Sequence, residues 1–218
     1  MNVLSIDTAT EVLSLAAEHG DVWAALAIRR GLQHSPALLP LAERLLRETG
    51  MTPADIELVV CSTGPGSFTG IRIGLATALG ISEARGIPVV GVSTLDAMAR
   101  TQDAYDGDVF AVIDARKAKI YAGCFRAGAR QGDYMDISPA DLASRLSLAR
   151  QPMLVGPDAA RIRVMLGAVW AEMPFSETVD PRVLLQIGKR KFESEGAPQT
   201  VIQPLYLRKS EAEIVSGR

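Results

Sequence analysis

The sequence predicts an α/β fold built from two lobes. Three short strands, at 3–6, 12–17 and 22–28, come first, and helices then alternate with further strands. This alternation is typical of α/β folds, in which helices cover a largely parallel sheet. A second run of the same element order begins near residue 109 and indicates a second lobe.

The first helix is predicted over 35–49. Leucines recur at spacings of three and four from Leu38 to Leu45, and charged residues occupy the other face. Ser35 is expected as the N-cap and Pro36 as the first helical residue. The helix therefore has one face suited to burial.

Buried strands and helices follow in the first lobe. The run at 58–61 is apolar throughout, which is typical of a parallel strand covered on both faces. A helix is predicted over 71–85, a strand over 89–92 and a further helix over 94–100. The order strand, strand, strand, helix, strand, helix is thus complete within this lobe.

A polar break at 105–108 is the expected lobe boundary, dividing the chain into 1–105 and 106–218. The second lobe opens with an apolar strand ending in Asp114, as the first opens with one ending in Asp7. Its other predicted elements are strands at 120–125, 134–137 and 153–156, a helix beginning at Ser138 and a long helix over 181–194.

Composition excludes several protein classes. The 218 residues are 48% hydrophobic, and 23 Lys and Arg face 25 Asp and Glu. Disorder, a membrane span and a stand-alone nucleic-acid binder are therefore not expected. The absence of a signal-peptide pattern predicts a cytoplasmic protein. Cys61 and Cys124 lie in apolar runs and are expected to be buried free thiols.

The glycine loop, residues 64–70, fits none of three phosphate-binding or catalytic patterns. A P-loop ends in Gly-Lys-Ser/Thr, whereas Ile71 and Arg72 follow here. A dinucleotide fingerprint fails at Thr69, and a nucleophile elbow lacks its glycines around Ser67. Two interpretations stay open: an anion site at a helix N-terminus, or close packing of strand and helix that only glycine permits.

The helix at 71–85 is apolar on all sides. Such a helix must be buried on more than one side. The second cover is either another helix of the same lobe or another protein chain. We prefer a protein–protein face, with a fully internal helix as the alternative.

Polar residues after the first strand of each lobe are candidates for binding a metal–nucleotide complex. Asp7 and Thr8 follow one strand, and Asp114 and Arg116 the other. Carboxylates at strand ends that face a cleft suit such a ligand. The alternative is that each aspartate caps a turn.

Other candidate sites carry less information. His34 with Ser67 would make a hydrolase pair, but His34 is expected at a surface or capping position and no third member is evident. Two isolated histidines do not predict a zinc site. The basic run at 116–119 is interpreted as a solvated face.

The chain resembles the TsaB (YeaZ) family. The resemblance is carried by segments 4–10 (LSIDTAT), 33–40 (QHSPALLP), 64–74 (GPGSFTGIRIG), 113–116 (IDAR) and 204–208 (PLYLR). It extends from the first strand to the C-terminus and is densest over 1–125. The glycine-loop segment is highly specific to that family.

The resemblance implies an actin-like ATPase fold (ASKHA, ribonuclease H-like), with two lobes each built on βββαβα. It implies a part in forming N6-threonylcarbamoyladenosine in tRNAs that read ANN codons. In that system TsaD carries the transferase site, the ATPase TsaE joins the pair, and tRNA is reached through the complex. A homodimer is expected when the chain is alone. The resemblance implies no cofactor, apart from ATP or ADP that binds weakly or at an interface shared with a partner.

Two departures from TsaD-like chains imply that this chain is not catalytic and holds no metal. The stretch 91–99 lacks the His-x-x-x-His metal ligands, and no Asp-x-Gly glycine follows Asp7. The resemblance places the TsaD contact on the helices at 35–49 and 70–85. The expected interface residues are Leu38, Leu41, Leu45, Arg72, Ala76, Ala78 and Leu79. Those of a vestigial nucleotide cleft are Asp7, Thr8, Asp114 and Arg116.

Two other functions remain as alternatives. An ATP-dependent kinase of the same fold predicts tight Mg–ATP binding at Asp7 and Asp114. A hydrolase would use Ser67 as its nucleophile.

Overall fold

The structure is a computed structural model that describes residues 1–31, 33–177, 180–198 and 202–208. It divides into two compact units. Of the described residues, the first unit holds 1–97 with 180–198 and 202–204, and the second holds 98–177 with 205–208. Each unit is a mixed sheet with helices, so the predicted α/β class is confirmed.

The first unit follows the predicted element order. Its strands and helices are β1 (Val3–Asp7), β2 (Val12–His19), β3 (Val22–Arg29), α1 (Ser35–Glu48), β4 (Leu58–Ser62), α2 (Phe68–Arg85) and β5 (Val89–Val92), after which the chain enters α3 (Thr94–Arg100). The sheet order is β3-β2-β1-β4-β5. Strand β1 pairs antiparallel with β2 and parallel with β4, which pairs parallel with β5.

The second unit repeats this topology. Its elements are β6 (Asp108–Asp114), β7 (Ile120–Arg126), β8 (Ala129–Arg130), β9 (Met135–Ile137), α4 (Pro139–Leu146), β10 (Met153–Val155), α5 (Ala159–Leu166) and β11 (Phe175–Ser176). Strand β6 pairs antiparallel with β7 and parallel with β10, and β9 pairs with β7 as β3 pairs with β2. Helix α5 and strand β11 were not predicted from the sequence.

The last helix, α6 (Pro181–Glu195), belongs to the first unit, against the predicted division at residue 105. Leu184 and Leu185 are buried in one core cluster with residues of β1, β4 and β5. A Cβ atom at Gly188 would lie 2.3 Å from Val60 Cγ1, so the glycine lets α6 contact β4 closely. Helix α6 follows the second unit in the sequence, but burial of its leucines places it on the sheet of the first unit.

The starts of α1 and α2 differ from the prediction by one and three residues, whereas α3 and α6 begin where they were predicted. The N-cap of α1 is His34, without a side-chain cap, and Ser35 is already helical. Helix α2 begins at Phe68, because the Ser67 hydroxyl accepts a hydrogen bond from Gly70 N–H at 3.2 Å.

The two cysteines are free thiols with different environments. Cys61 is buried, as predicted, and burial raises the pKa of its thiol. Cys124 is only partly buried, which raises its pKa to about 11. Neither thiol is therefore expected to be appreciably ionised at neutral pH.

Membrane insertion finds no support among the helices of the described residues. None of them combines the length and apolar character that a membrane crossing requires.

Asp108 anchors the start of β6 through a paired, buried carboxylate. It accepts hydrogen bonds from Arg126 Nε at 2.7 Å, from an Arg126 terminal nitrogen at 3.0 Å and from Arg150 N–H at 2.9 Å. The hydrogen bonds from Arg126 hold the pKa of Asp108 below its usual range.

We expect Asp108→Asn to lower the stability of the protein at neutral pH and to matter little in acid. A carboxyl with a depressed folded-state pKa stabilises the fold above its unfolded pKa, near 4, and loses that contribution as pH falls. Urea unfolding of both proteins between about pH 3 and pH 7 measures the difference. A difference that stays constant over this range would contradict the prediction.

Candidate functional site

The glycine loop lies directly against the turn that follows β1. A Cβ atom at Gly66 would lie 2.2 Å from Ala9 O, and one at Gly70 would lie 2.1 Å from Thr8 O. Ser67 N–H donates to Ala9 O at 2.7 Å. Close backbone packing thus accounts for these two glycines, which is the second of the two interpretations of the loop.

Two N–H groups at the start of α2 are bonded within the helix and its cap. Gly70 N–H donates to Ser67 Oγ, and Ile71 N–H donates to Ser67 O at 2.9 Å. Thr8 Oγ1 in turn donates to Gly70 O at 2.7 Å, and Gly74 approaches the same threonine. These contacts fix α2 against the end of β1.

Asp7 is buried at the end of β1 and hydrogen-bonded within the first unit. Its Oδ1 accepts from Ala9 N–H at 2.9 Å and from Ser62 Oγ at 2.7 Å. Burial raises the pKa of Asp7, opposed by these hydrogen bonds and by the electrostatic effect of His34. The arrangement is that of an aspartate capping a turn, the alternative to metal–nucleotide binding.

We expect Asp7→Asn to become increasingly favourable, relative to the wild type, as pH rises. The amide oxygen can accept the same two hydrogen bonds without a buried charge. A carboxyl with a raised folded-state pKa destabilises the fold once the unfolded group ionises, near pH 4. The stability of Asp7→Asn relative to the wild type, measured by unfolding from about pH 4 to pH 8, should therefore rise with pH, whereas that of Asp108→Asn should fall. A change in the same direction for both variants would refute this assignment.

His34 is fully buried, which corrects the expectation of a surface or capping side chain. Its Nε2–H donates to Thr10 O at 2.7 Å, while Nδ1 is buried without a hydrogen-bond partner among the described residues. The ring satisfies a carbonyl in the loop after β1, and Ser67 caps α2. Among the hydrogen bonds of the described residues, none joins His34 to Ser67, and the hydrolase pair therefore gains no support.

The second pair of predicted cleft residues lies in the second unit. The Asp114 side chain is only 5% exposed and forms an ion pair with Arg161. A second ion pair joins it to Arg116 at 3.9 Å. Asp7 and Asp114 therefore belong to different units, and each is engaged within its own.

Three of the predicted interface residues are internal. Leu38, Leu45 and Ala78 are 1%, 4% and 0% exposed, so they cannot contact a partner directly. The apolar stripe of α1 packs on β2 and β3, and the inner side of α2 packs on β4. This corrects the prediction, which could not distinguish the inner from the outer face of these helices.

The outer face of α2 carries Arg72 and the small residues Ala76 and Gly80 between two apolar residues. Arg72, Ala76 and Gly80 are exposed and lie one turn apart. Ile73 and Leu79, both partly buried, lie on either side of this stripe. We call these five residues the α2 outer face; its small residues would let a partner helix approach closely.

Two leucines of α1 keep some exposure to solvent. Leu41 of α1 is partly buried, and Leu39 is 56% exposed. Leu39 and Ile73 were not among the predicted interface residues, although both lie beside apolar stripes that the sequence makes visible. The Arg72 guanidinium lies 3.8 Å from the centre of the Phe68 ring, which orients it along the helix.

Known proteins match the chain over most of its length. The family model for TsaD, tRNA N6-adenosine threonylcarbamoyltransferase, matches residues 22–162. The tRNA threonylcarbamoyladenosine biosynthesis protein TsaB of Bacillus subtilis is 30% identical over 226 residues, covering 98% of this chain and 96% of that protein. TsaB of Escherichia coli is 37% identical over 123 residues, 56% of this chain and 53% of that protein.

Solved structures share the fold. YeaZ from Pseudomonas aeruginosa matches with a TM-score of 0.77 at 23% identity, covering 94% of this chain and 99% of that one. A second structure, an uncharacterized protein with similarity to peptidase YeaZ from the same organism, matches with a TM-score of 0.78 at 25% identity, covering 95% and 99%. The whole-length identity to the Bacillus protein and these folds together establish that the chain belongs to the TsaB (YeaZ) family, which the sequence motifs had indicated.

Proposed function

We propose that this chain is a non-catalytic, cytoplasmic subunit that pairs with TsaD, and with TsaE, to form N6-threonylcarbamoyladenosine in tRNAs that read ANN codons. The observation that carries the proposal is the identity to TsaB of B. subtilis over 98% of the chain. Because that similarity spans both units, it supports the same role for the whole chain and does not depend on one motif.

The end of β1 supports the non-catalytic part of the proposal. Burial raises the pKa of Asp7, its Oδ1 accepts two hydrogen bonds within the first unit, and Thr8 Oγ1 donates to Gly70 O. A buried carboxyl that already accepts two hydrogen bonds is a poor ligand for a metal–nucleotide complex. Strand β5 and α3, where TsaD-like chains are expected to hold their metal, supply no histidine at 91–99. The chain accordingly has no cofactor of its own, and any ATP or ADP binds weakly or is shared with a partner.

The α2 outer face supports the pairing with TsaD. The exposed Ala76 and Gly80, flanked by apolar residues, allow close helix-to-helix contact, and Arg72 is the charged group of this face. The chain alone covers the same face by forming a homodimer, since exposed apolar surface favours association. We assign the partner contact to Leu39 and Leu41 of α1 together with this face.

Co-expression with TsaD, followed by reconstitution of the modification with and without this chain, tests the proposal. We expect a stable heterodimer, and tRNA modification that requires this chain, TsaD and TsaE together. Full modification without this chain, or no association with TsaD, would refute it. Tight Mg–ATP turnover by the isolated chain would instead favour a kinase.

A further inference from the structure

A cavity of about 450 Å³ opens in the second unit. Its inner surface is formed by Phe110 of β6 and Cys124 of β7, which are paired across the two strands, and by Met135 of β9. One wall is the loop at 131–133, and the other is the end of α4 with the turn at 148–149. The volume lies within the range of about 300–1,000 Å³ that is typical of small-molecule sites.

The loop wall is held against strand β7 by hydrogen bonds. Gln131 N–H donates to Cys124 O at 2.7 Å, and Gln131 Nε2 donates to Ala129 O at 2.9 Å. Gly132 follows with a φ angle of 84°, which glycine adopts without strain, and Asp133 completes this wall. The cavity is therefore bounded by a fixed loop.

Apolar side chains line the cavity from its inner surface to its rim. Phe110 is buried, and Met135 is partly buried beside the core of the second unit. Leu148, by contrast, is 90% exposed, although it lines the same cavity. A single exposed leucine is ordinary on a protein surface. At the rim of a cavity lined by phenylalanine and methionine, it can cover the apolar part of a ligand.

Two side chains of opposite charge line the cavity from different elements. Asp133 lies on the loop wall and Arg145 on α4, and both are exposed. In the part of the chain that the structure describes, neither takes part in a hydrogen bond or an ion pair. Asp141 Oδ2 accepts from Ser138 Oγ at 2.7 Å, and Arg145 acts on this carboxylate only through its charge.

The other charged residue of the lining already has its partners. Asp108 is 3% exposed, and its carboxylate accepts from the Arg126 guanidinium and from Arg150 N–H. A ligand therefore meets one available carboxylate, on Asp133, and one available guanidinium, on Arg145. A ligand with a single charge would leave one of these groups facing a like charge or no charge, whereas a zwitterion complements both.

We propose that this cavity binds a small zwitterion with an apolar body, the chemistry of free α-amino acids and dipeptides with apolar side chains. Arg145 binds the carboxylate and Asp133 the ammonium group, while the apolar body packs on Phe110, Met135 and Leu148. The inference does not depend on the pairing with TsaD, because the cavity lies wholly within the second unit.

The test titrates the isolated chain by calorimetry with two zwitterions, L-phenylalanine and the dipeptide L-alanyl-L-phenylalanine. Each is compared with its N-acetyl derivative, which keeps only the carboxylate, and with its amide, which keeps only the ammonium group. Cys124 provides a second readout, because its thiol lines the cavity whereas the other cysteine, Cys61, is buried. A bound ligand should slow the alkylation of Cys124 by iodoacetamide in mildly alkaline solution.

Three single variants remove one element of the cavity each. Arg145→Gln and Asp133→Asn remove one charge, and Leu148→Ser removes the apolar rim. All three positions are exposed, so the fold is retained. Arg190→Gln is the matched control for Arg145→Gln, since it changes an exposed helical arginine of α6 in the first unit.

We expect at least one of the two zwitterions to protect Cys124 and to bind about tenfold more tightly than its blocked derivatives. Arg145→Gln should remove the preference over the amide, Asp133→Asn the preference over the N-acetyl derivative, and Leu148→Ser should weaken binding several-fold. Neither binding nor protection by either zwitterion would overturn the inference. Equal affinity for the blocked derivatives, or an equal loss in Arg190→Gln and Arg145→Gln, would overturn it as well.

Discussion

Gly70→Ala is expected to lower the free energy of unfolding by about 2–3 kcal/mol. The new methyl group would lie 2.1 Å from Thr8 O, a backbone atom of the turn after β1 that cannot rotate away. The hydrogen bond from Thr8 Oγ1 to Gly70 O holds the same two segments together. Relief of the clash must therefore shift α2 away from β1, and this cost exceeds the gain in helix propensity from alanine.

Thermal unfolding of the isolated chain measures this effect. For a chain of this size the expected fall in Tm is roughly 4–12 °C. Gly80→Ala is the matched control, because it lies in the same helix with no atom within 4 Å of the new Cβ. That variant should gain about 0.5–1 kcal/mol from helix propensity alone. Equal stability of the two variants would contradict the packing role of Gly70.

Secondary structure was predictable here because its signals are local. Strand β4 is buried at all five positions, as its continuous apolar run predicted. The repeated element order predicted two units, and the strand pairing of the second sheet confirms the repeat. The weakly patterned α5 and the two-residue β11 were missed, since their sequence periodicity is too short to detect.

Tertiary placement was not predictable from the same signals. Periodicity shows that α6 has an apolar face, but not that Gly188 and Leu184 pack on the first sheet. Likewise, Ala76 and Ala78 are the same residue type on one helix, yet one is exposed and the other is fully buried. His34 is buried because the loop after β1 supplies a carbonyl to its ring, a long-range contact that sequence spacing does not reveal.

Ala76→Arg is expected to weaken binding to TsaD at least a hundredfold, about 2.7 kcal/mol. Ala76 is exposed in the isolated chain, so arginine there can extend into solvent and the fold is retained. In a helix-to-helix contact across the α2 outer face, the guanidinium would have to lose its water without a partner and would hold the helices apart. Both effects act only where this face is covered, in the complex with TsaD and in the proposed homodimer.

The choice of position decides whether this experiment is informative. Arginine at Ala78, which is fully buried, would disrupt the core of the first unit and mimic a loss of binding. Ala140→Arg is the matched control, an exposed helical alanine on α4 of the second unit. Calorimetric titration with TsaD should show loss of affinity for Ala76→Arg and none for Ala140→Arg, with both variants folded. Because both variants fold, unchanged affinity at Ala76 would remove the α2 outer face as the docking surface, and would leave Leu39 and Leu41 of α1 as the contact to test next.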